Sequence, residues 1–325
     1  MAQKAEKADF QTVRQIHSVL AMHFIEGRTQ AEIATTTNMS HAKVNRLIKQ
    51  GREMGMLQIT IKSPYQRLTE LEKVLSDQWK LQGALVTPTV SGSAETTLQQ
   101  VGAAAATMLQ ETLRNGDTIA ISGGKAVSAV VENLRVEKPM DIQVVPLTGG
   151  VQGKHYTDVN HVATQLADRL GGTAMLVHAP LFAETEEQRD MLMNMGSIKP
   201  VFDLARSADI ALVGVGSILT PQSSYYDLHP MSADDRQDLI NMGAVGEFLA
   251  HIIDENGRLC DSELNSRLVA LRPDEIMSIP NSIAVASGEE KTRPIQAALN
   301  GGYLKMLVVD EATAQSVADT KLEIV

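Results

Sequence analysis

The 325-residue sequence predicts two domains of different class: a small N-terminal helix-turn-helix domain with a wing, and a larger α/β, Rossmann-like domain built on a mainly parallel sheet. Three observations carry this. Residues 30–48 read as two short helices about a tight turn. From Gly83 onward, short β-rich apolar runs alternate with amphipathic helical stretches. The charge is also divided. Residues 1–64 hold nine Lys/Arg against five Asp/Glu, a formal +4, in a chain of net −10, which leaves −14 for the remainder. A basic module on an acidic body is the asymmetry expected when one end of a chain meets a polyanion.

The first helix is expected over about residues 10–26, with Val13, Ile16, Leu20 and Phe24 inward and Gly27 ending it. Thr29 caps the second, in which Ile33 and Ala34 face the core. Asn38 makes the tight turn; the left-handed conformation needed there falls most often to glycine, and Asn tolerates it better than most residues. Ser40 caps a third helix running to about Met54, with Val44, Leu47 and Ile48 inward at helical spacing. His41, Lys43, Asn45 and Arg46 are left on its outer face, where they can donate to phosphates and base edges as a helix in a major groove must. Lys43, Arg46, Lys49 and Arg52 recur at three-residue steps. The candidate DNA contacts are therefore Thr29, Gln30, Ser40, His41, Lys43, Asn45, Arg46 and Lys49. An ordinary helical hairpin with a solvated basic face is the alternative. Alternating apolar and polar residues over 57–62 suggest the wing strand, and Ser63-Pro64 marks a boundary. The expected divisions are 1–62, a linker or oligomerisation helix over 63–82, and 83–325. In that helix Leu68, Leu71, Leu75 and Trp79 share one side, either to pack on the larger domain or to pair with a second copy.

Composition narrows the classes. The apolar fraction of 43% is that of a soluble globular chain. A single cysteine, Cys260, excludes an intrachain disulfide and a cysteine-based zinc site, and fits a reducing cytoplasm. The N-terminus lacks the apolar core of a signal peptide. No apolar run approaches the roughly 20 residues needed to cross a bilayer. Aromatics at 3% are too few for single-strand stacking platforms, so duplex DNA is the better nucleic-acid partner. No metal site, cofactor or catalytic residue is indicated.

The larger domain carries β-rich runs at 84–86, 118–121, 142–147, 174–177, 210–213, 283–286 and 306–309, with helical stretches such as 98–113, 127–134 and 159–170 between them. This order predicts a parallel sheet covered on both faces, with ligands at the carboxyl ends of the strands. Four strands end in glycine turns: Ser122-Gly123-Gly124-Lys125, Thr148-Gly149-Gly150, Gly214-Val215-Gly216-Ser217 and Ser287-Gly288-Glu289-Glu290-Lys291. Glycine lets backbone N–H groups converge on an anion, and Lys125 and Lys291 add full charge. None matches a P-loop, and the lone Gly-x-Gly at 214–216 is weak as a dinucleotide signature. Each turn alone is ordinary strand-to-helix chemistry; four together favour one small-ligand pocket. Glu247 sits in an otherwise apolar stretch, where an unpaired carboxylate is costly, so it needs a ligand hydroxyl or a cation such as Lys291. Asp254 reads as a surface turn, His178 as structural, and Tyr225 and Tyr226 as possible covers of the pocket.

In this order the segments resemble the SorC family of bacterial sugar-responsive transcriptional regulators, over nearly the whole chain. The resemblance rests on the helix-turn-helix and on Ile121-Ser122-Gly123-Gly124, Pro146-Leu147-Thr148-Gly149-Gly150 and Leu212-Val213-Gly214-Val215-Gly216-Ser217. Gly243-Ala244-Val245-Gly246-Glu247 with Asp254-Glu255-Asn256-Gly257, the 285–291 segment, and Leu299-Asn300-Gly301-Gly302-Tyr303 running into 308–312 complete it. It implies an effector domain similar to sugar-phosphate isomerases and deaminases, a phosphorylated sugar as signal, and a homotetramer on operator DNA. By position, the Gly124-Lys125 turn, Thr148-Gly149-Gly150 and Lys291 would hold the phosphate end and Glu247 hydroxyls, and Gly123 and Gly216 are counted among the effector-binding residues. Two departures stand out. Lys125-Ala126 replaces threonines found in many members, and Thr148 replaces a basic residue. Either Lys125 supplies the missing charge or the effector is a less anionic sugar or polyol. The leading expectation is a regulator of a carbohydrate or polyol operon. A sugar-phosphate isomerase or deaminase with an appended module, and a DNA-binding scaffold with no ligand, are the alternatives.

Overall fold

A computed structural model divides the chain into two compact units, residues 1–64 and 65–325. It describes residues 10–57, 65–152, 156–220 and 223–319.

The N-terminal unit contains α1 (Phe10–Leu20), α2 (Gln30–Thr37) and α3 (His41–Glu53), and α1 runs on into a π-helical turn over Ala21–Ile25. Ile16, Val19, Leu20, Ile33, Val44, Leu47 and Ile48 form one core. Val13 and Phe24, expected inward, are only half-buried, and Val19 takes a core place because 16, 19 and 20 share a helix face. Thr29 closes a capping box with Glu32 at the start of α2, and Asn38 ends that helix at φ 52°. Ser40 accepts a hydrogen bond from the Lys43 N–H. Gly51 marks the closest approach of α3 to α1: a Cβ there would lie 2.6 Å from Leu20 Cδ1 and 2.8 Å from Ile16 Cγ2. The expected wing at 57–62 falls, beyond Leu57, outside the described residues.

The larger unit opens with α4 (Gln66–Trp79). Leu68, Leu71 and Leu75 are buried in the same core as the sheet. α4 is thus part of this unit, and Leu68, Leu71 and Leu75 pack there. The strands are β1 (Gly83–Thr87), β2 (Thr118–Ile121), β3 (Gln143–Pro146), β4 (Thr173–Ala174), β5 (Ile210–Gly214), β6 (Gly216–Ser217), β7 (Ala244–Phe248), β8 (His251–Asp254), β9 (Asn281–Ala286) and β10 (Met306–Asp310). The helices that follow α4 are α5 (Ala94–Thr112), α6 (Lys125–Asn133), α7 (Val159–Leu170), α8 (Glu186–Met193), α9 (Lys199–Arg206), α10 (Tyr225–Leu228), α11 (Ala233–Asn241), α12 (Glu263–Ser266), α13 (Thr292–Asn300) and α14 (Glu311–Asp319).

Seven strands form a parallel sheet in the order β1-β10-β9-β5-β2-β3-β4. From β2 the chain winds outward through β3 and β4, then returns to place β5 on the other side of β2. Such a reversal opens a crevice at the strands' carboxyl ends. The core runs along both faces, from Ile119, Ile121, Val144 and Leu212 to Val285 and Val308, all fully buried.

Two features depart from expectation. The 174–177 run pairs only through Ala174, because the Asn160 side chain takes the Val177 N–H and C=O in place of a neighbouring strand. Beside the main sheet lies an unexpected antiparallel sheet, β6-β7-β8. The β7–β8 hairpin turns on just Leu249 and Ala250, at φ 53° and 63°. Asn-Gly is the usual filling of such a turn, and bulky residues are strained there.

Candidate functional site

A cavity of about 900 Å³ opens at the carboxyl ends of the parallel strands, across the β2–β5 reversal. Gly123, Gly124, Lys125, Thr148, Gly149, Gly216, Glu247 and Lys291 all reach its wall. Gly150 does not; a Cβ there would face Asn160 Nδ2 at 3.3 Å and Asp158 Oδ1 at 3.7 Å.

The four glycine turns play different parts. After β2, Gly124 adopts φ 118° and its N–H donates to the Tyr156 carbonyl. The Ser128 N–H makes the first ladder bond of α6, to Gly124, which leaves the Lys125, Ala126 and Val127 amides at the helix start ahead of the ladder. Those amides and the Lys125 ammonium suit an anion. Lys125 Nζ stands 5.5 Å from the centre of the Tyr156 ring. The turn after β3 is no anion nest: the Gly149 N–H donates to Val269 and the Gly150 N–H to Ala179. Glycine is needed at 149 because a Cβ would lie 2.7 Å from the Pro180 carbonyl carbon. The segment after β5 is not a strand-to-helix turn at all. Gly216 and Ser217 form β6, paired with Glu247 and Gly246. In the turn after β9 the Gly288 N–H donates to Asp310 Oδ1, and Lys291 follows at the cavity wall.

Glu247 is the most constrained of these side chains. It projects from β7 across Gly216, whose missing Cβ leaves the room: an added Cβ would lie 2.6 Å from Glu247 Cδ and 2.7 Å from Cγ. Its Oε2 accepts a hydrogen bond from the Ala250 N–H at 2.9 Å, so the strained hairpin turn fixes its orientation. Burial holds its carboxyl above the usual carboxylate range, opposed by the Lys291 charge and the Ala250 N–H. Burial likewise holds Lys291 below the ordinary lysine range, opposed chiefly by Glu247. A half-buried acceptor near a half-buried cation at the cavity wall suits a ligand that carries both hydroxyls and negative charge.

Sequence reasoning missed one wall of the cavity. Thr89, Val90, Gly92, Ser93 and Thr97 line it from the end of β1 into α5, and Asp310 from the end of β10. The signal was present: Val90-Ser91-Gly92-Ser93-Ala94-Glu95 is a strand-end glycine followed by a capping serine, and Ser93 accepts from the Thr96 N–H. Asp310 is held below the usual carboxylate range by hydrogen bonds from the Gly288 N–H, Thr313 and Thr89, against the opposing effect of burial. Tyr225 and Tyr226 do not cover the cavity. Tyr225 is buried in the cluster under the small sheet, and the Tyr226 hydroxyl donates to the Ile218 carbonyl. Asp254 organises a turn, accepting from the Asn256 and Arg258 N–H groups.

In the N-terminal unit, His41, Asn45, Arg46 and Lys49 are exposed on α3, and Gln30 and Lys43 are half-buried. The Thr29 and Ser40 hydroxyls are already engaged as caps. Lys49 lies 3.9 Å from Glu53, and the Arg52 guanidinium stands 5.7 Å from the centre of the Phe24 ring. No helix among the described residues is long and apolar enough to cross a membrane.

Residues 63–318 match the family described as "Putative sugar-binding domain". The chain is 29% identical over 307 residues to the sorbitol operon regulator of Klebsiella pneumoniae, covering 93% of this chain and 97% of that protein. It is 28% identical over 298 residues to the erythritol catabolism regulatory protein EryD of Brucella abortus, covering 91% and 93%. The crystal structure of the full-length sorbitol operon regulator SorC from Klebsiella pneumoniae matches with a TM-score of 0.73 at 28% identity, covering 95% of this chain and 99% of that one.

Proposed function

The chain belongs to the sugar-binding domain family, and we propose that it is a transcriptional regulator of a carbohydrate or polyol catabolic operon, controlled by a phosphorylated sugar or polyol. It is a regulator and not an enzyme, as are the full-length relatives whose names are given above. The observation that carries the ligand reading is the cavity itself. Lys125, Lys291 and the α6 amides offer one region for an anionic group, and Glu247 offers an acceptor for hydroxyls. The full-length relatives named above are regulators of sugar or polyol operons, and that favours binding over turnover in this cavity. The similarity of this unit to sugar-phosphate isomerases would then lie in the binding of substrate-like molecules alone.

The N-terminal unit is the DNA-binding part: a helix-turn-helix with α3 in the major groove of a duplex operator. The protein acts in the cytoplasm as a homodimer or homotetramer. Each ligand favours one arrangement of the subunits, so DNA and effector change each other's affinity by the same factor. The deciding experiment is a thermal-shift panel of sugar and polyol phosphates on the full chain, run beside an assay for their turnover. Stabilisation without turnover is the expected result; turnover would restore the enzyme reading.

A further inference from the structure

We infer that Ala42, which the sequence reading did not single out, is a specificity-determining residue of the DNA-reading face, seated against the groove floor on a thymine 5-methyl group. The inference rests on the DNA-binding reading of the N-terminal unit. It starts from the rotation of α3. Val44, Leu47 and Ile48 are buried in the core, and Gly51 is buried with them. Gly51 is so tightly opposed by Ile16 and Leu20 that even a methyl group must displace a neighbour, so α3 has little freedom to roll on α1. At about 100° per residue, the direction opposite that buried stripe runs through Ala42, Arg46 and Lys49, with Asn45 a step to one side. Ala42, Asn45 and Arg46 are all exposed.

Several neighbours are occupied. The Ser40 and Thr29 hydroxyls cap their own helices. Lys49 lies near Glu53, and Arg52 leans on Phe24. In the N-terminal half of α3, which enters the groove in this class of motif, Ala42 is the one apolar exposed residue. It is also the shortest side chain on that face, so the backbone can approach bases there while Asn45 and Arg46 reach outward to their edges. An alanine methyl has one specific partner on the floor of the major groove, the thymine methyl. Asn45 and Arg46 have the geometry to read adenine and guanine beside it.

The test begins with a duplex selected from a random pool by the full-length protein. Each thymine in it is then replaced, one at a time, by deoxyuridine, which removes the methyl group and leaves base pairing unchanged. We expect one thymine in each half-site whose replacement lowers affinity about threefold to fivefold, the effect of one buried methyl. Ala42→Gly and Ala42→Ser should bind the thymine and deoxyuridine duplexes equally, with the helical circular dichroism of the parent. Selected duplexes with no deoxyuridine-sensitive thymine overturn the assignment, as does sensitivity that survives in both variants. A full-length protein that enriches no sequence at all overturns the DNA-binding reading itself, an outcome separable from the other two.

Discussion

Replacing Gly216 with alanine tests how the cavity holds its acid. The new Cβ would lie 2.6 Å from Glu247 Cδ and 2.7 Å from Cγ, so the clash involves the body of the side chain and not just its tip. The acid must leave its place. It then loses the Ala250 N–H bond, worth about 1.5–3 kcal/mol as a hydrogen bond to a charged group. If it also leaves a good rotamer, about 0.5–1.5 kcal/mol is added. Gly216→Ala should therefore cost roughly 1.5–4.5 kcal/mol in urea unfolding. The same change made in a Glu247→Ala background is relieved of the three nearest contacts and should cost under about 1 kcal/mol, so the double-mutant cycle gives a large coupling between the two sites. Additive effects would mean that Gly216 is needed for its own backbone and not to make room for Glu247.

Ala250→Gly should raise stability by about 1 kcal/mol, since φ 63° costs an L-residue roughly 1–2 kcal/mol that glycine is spared, less glycine's own entropic cost; a fall in the urea midpoint would show that the turn is unstrained. His251 is buried, its ring hydrogen-bonded to the Leu249 carbonyl, and burial pushes its pKa down to about 4. Between pH 6.5 and 4 the unfolded chain takes up this proton and the folded chain does not. Stability is therefore full above about pH 6.5 and lost as pH falls, by about 1.4 kcal/mol per unit and roughly 3 kcal/mol in all. A His251→Asn variant should show a correspondingly flatter pH profile, and an unchanged slope would count against this assignment. Arg46→Ala should weaken operator binding about tenfold to a hundredfold in a gel-shift titration while leaving effector binding intact. Lys291→Ala should abolish the effector response and retain operator binding; an unchanged effector titration would remove Lys291 from the site.

The parallel strands were legible because each is a continuous apolar run, and α1 to α3 because Ile16, Ile33, Val44 and Leu47 fall at helical spacing between Gly27, Asn38 and Gly55. The small antiparallel sheet was not. β6 is two residues long, and Leu249-Ala250 carries none of the Gly or Asn chemistry by which hairpins announce themselves. Of the site, Lys125, Lys291 and Glu247 were readable as charges beside glycine turns or within an apolar stretch. The glycines themselves misled. Gly149 serves a close backbone approach, and Gly216 makes room for an acid 31 positions further along. Which contact a glycine relieves depends on tertiary neighbours that local sequence does not encode. The β1–α5 wall was overlooked although its cap was legible, because Gly92 lies in a run of small polar residues typical of any loop.

In the proposed regulator, one small ligand in the large unit sets the grip of the N-terminal unit on duplex DNA. The most direct measurement of this control is the affinity of the full chain for its own promoter fragment at fixed salt, with and without a sugar phosphate that stabilises the protein in the thermal-shift panel. That compound should change the DNA dissociation constant, and the DNA should change the compound's dissociation constant by the same factor. Tight binding of both, with neither affinity altered by the other, would contradict this control.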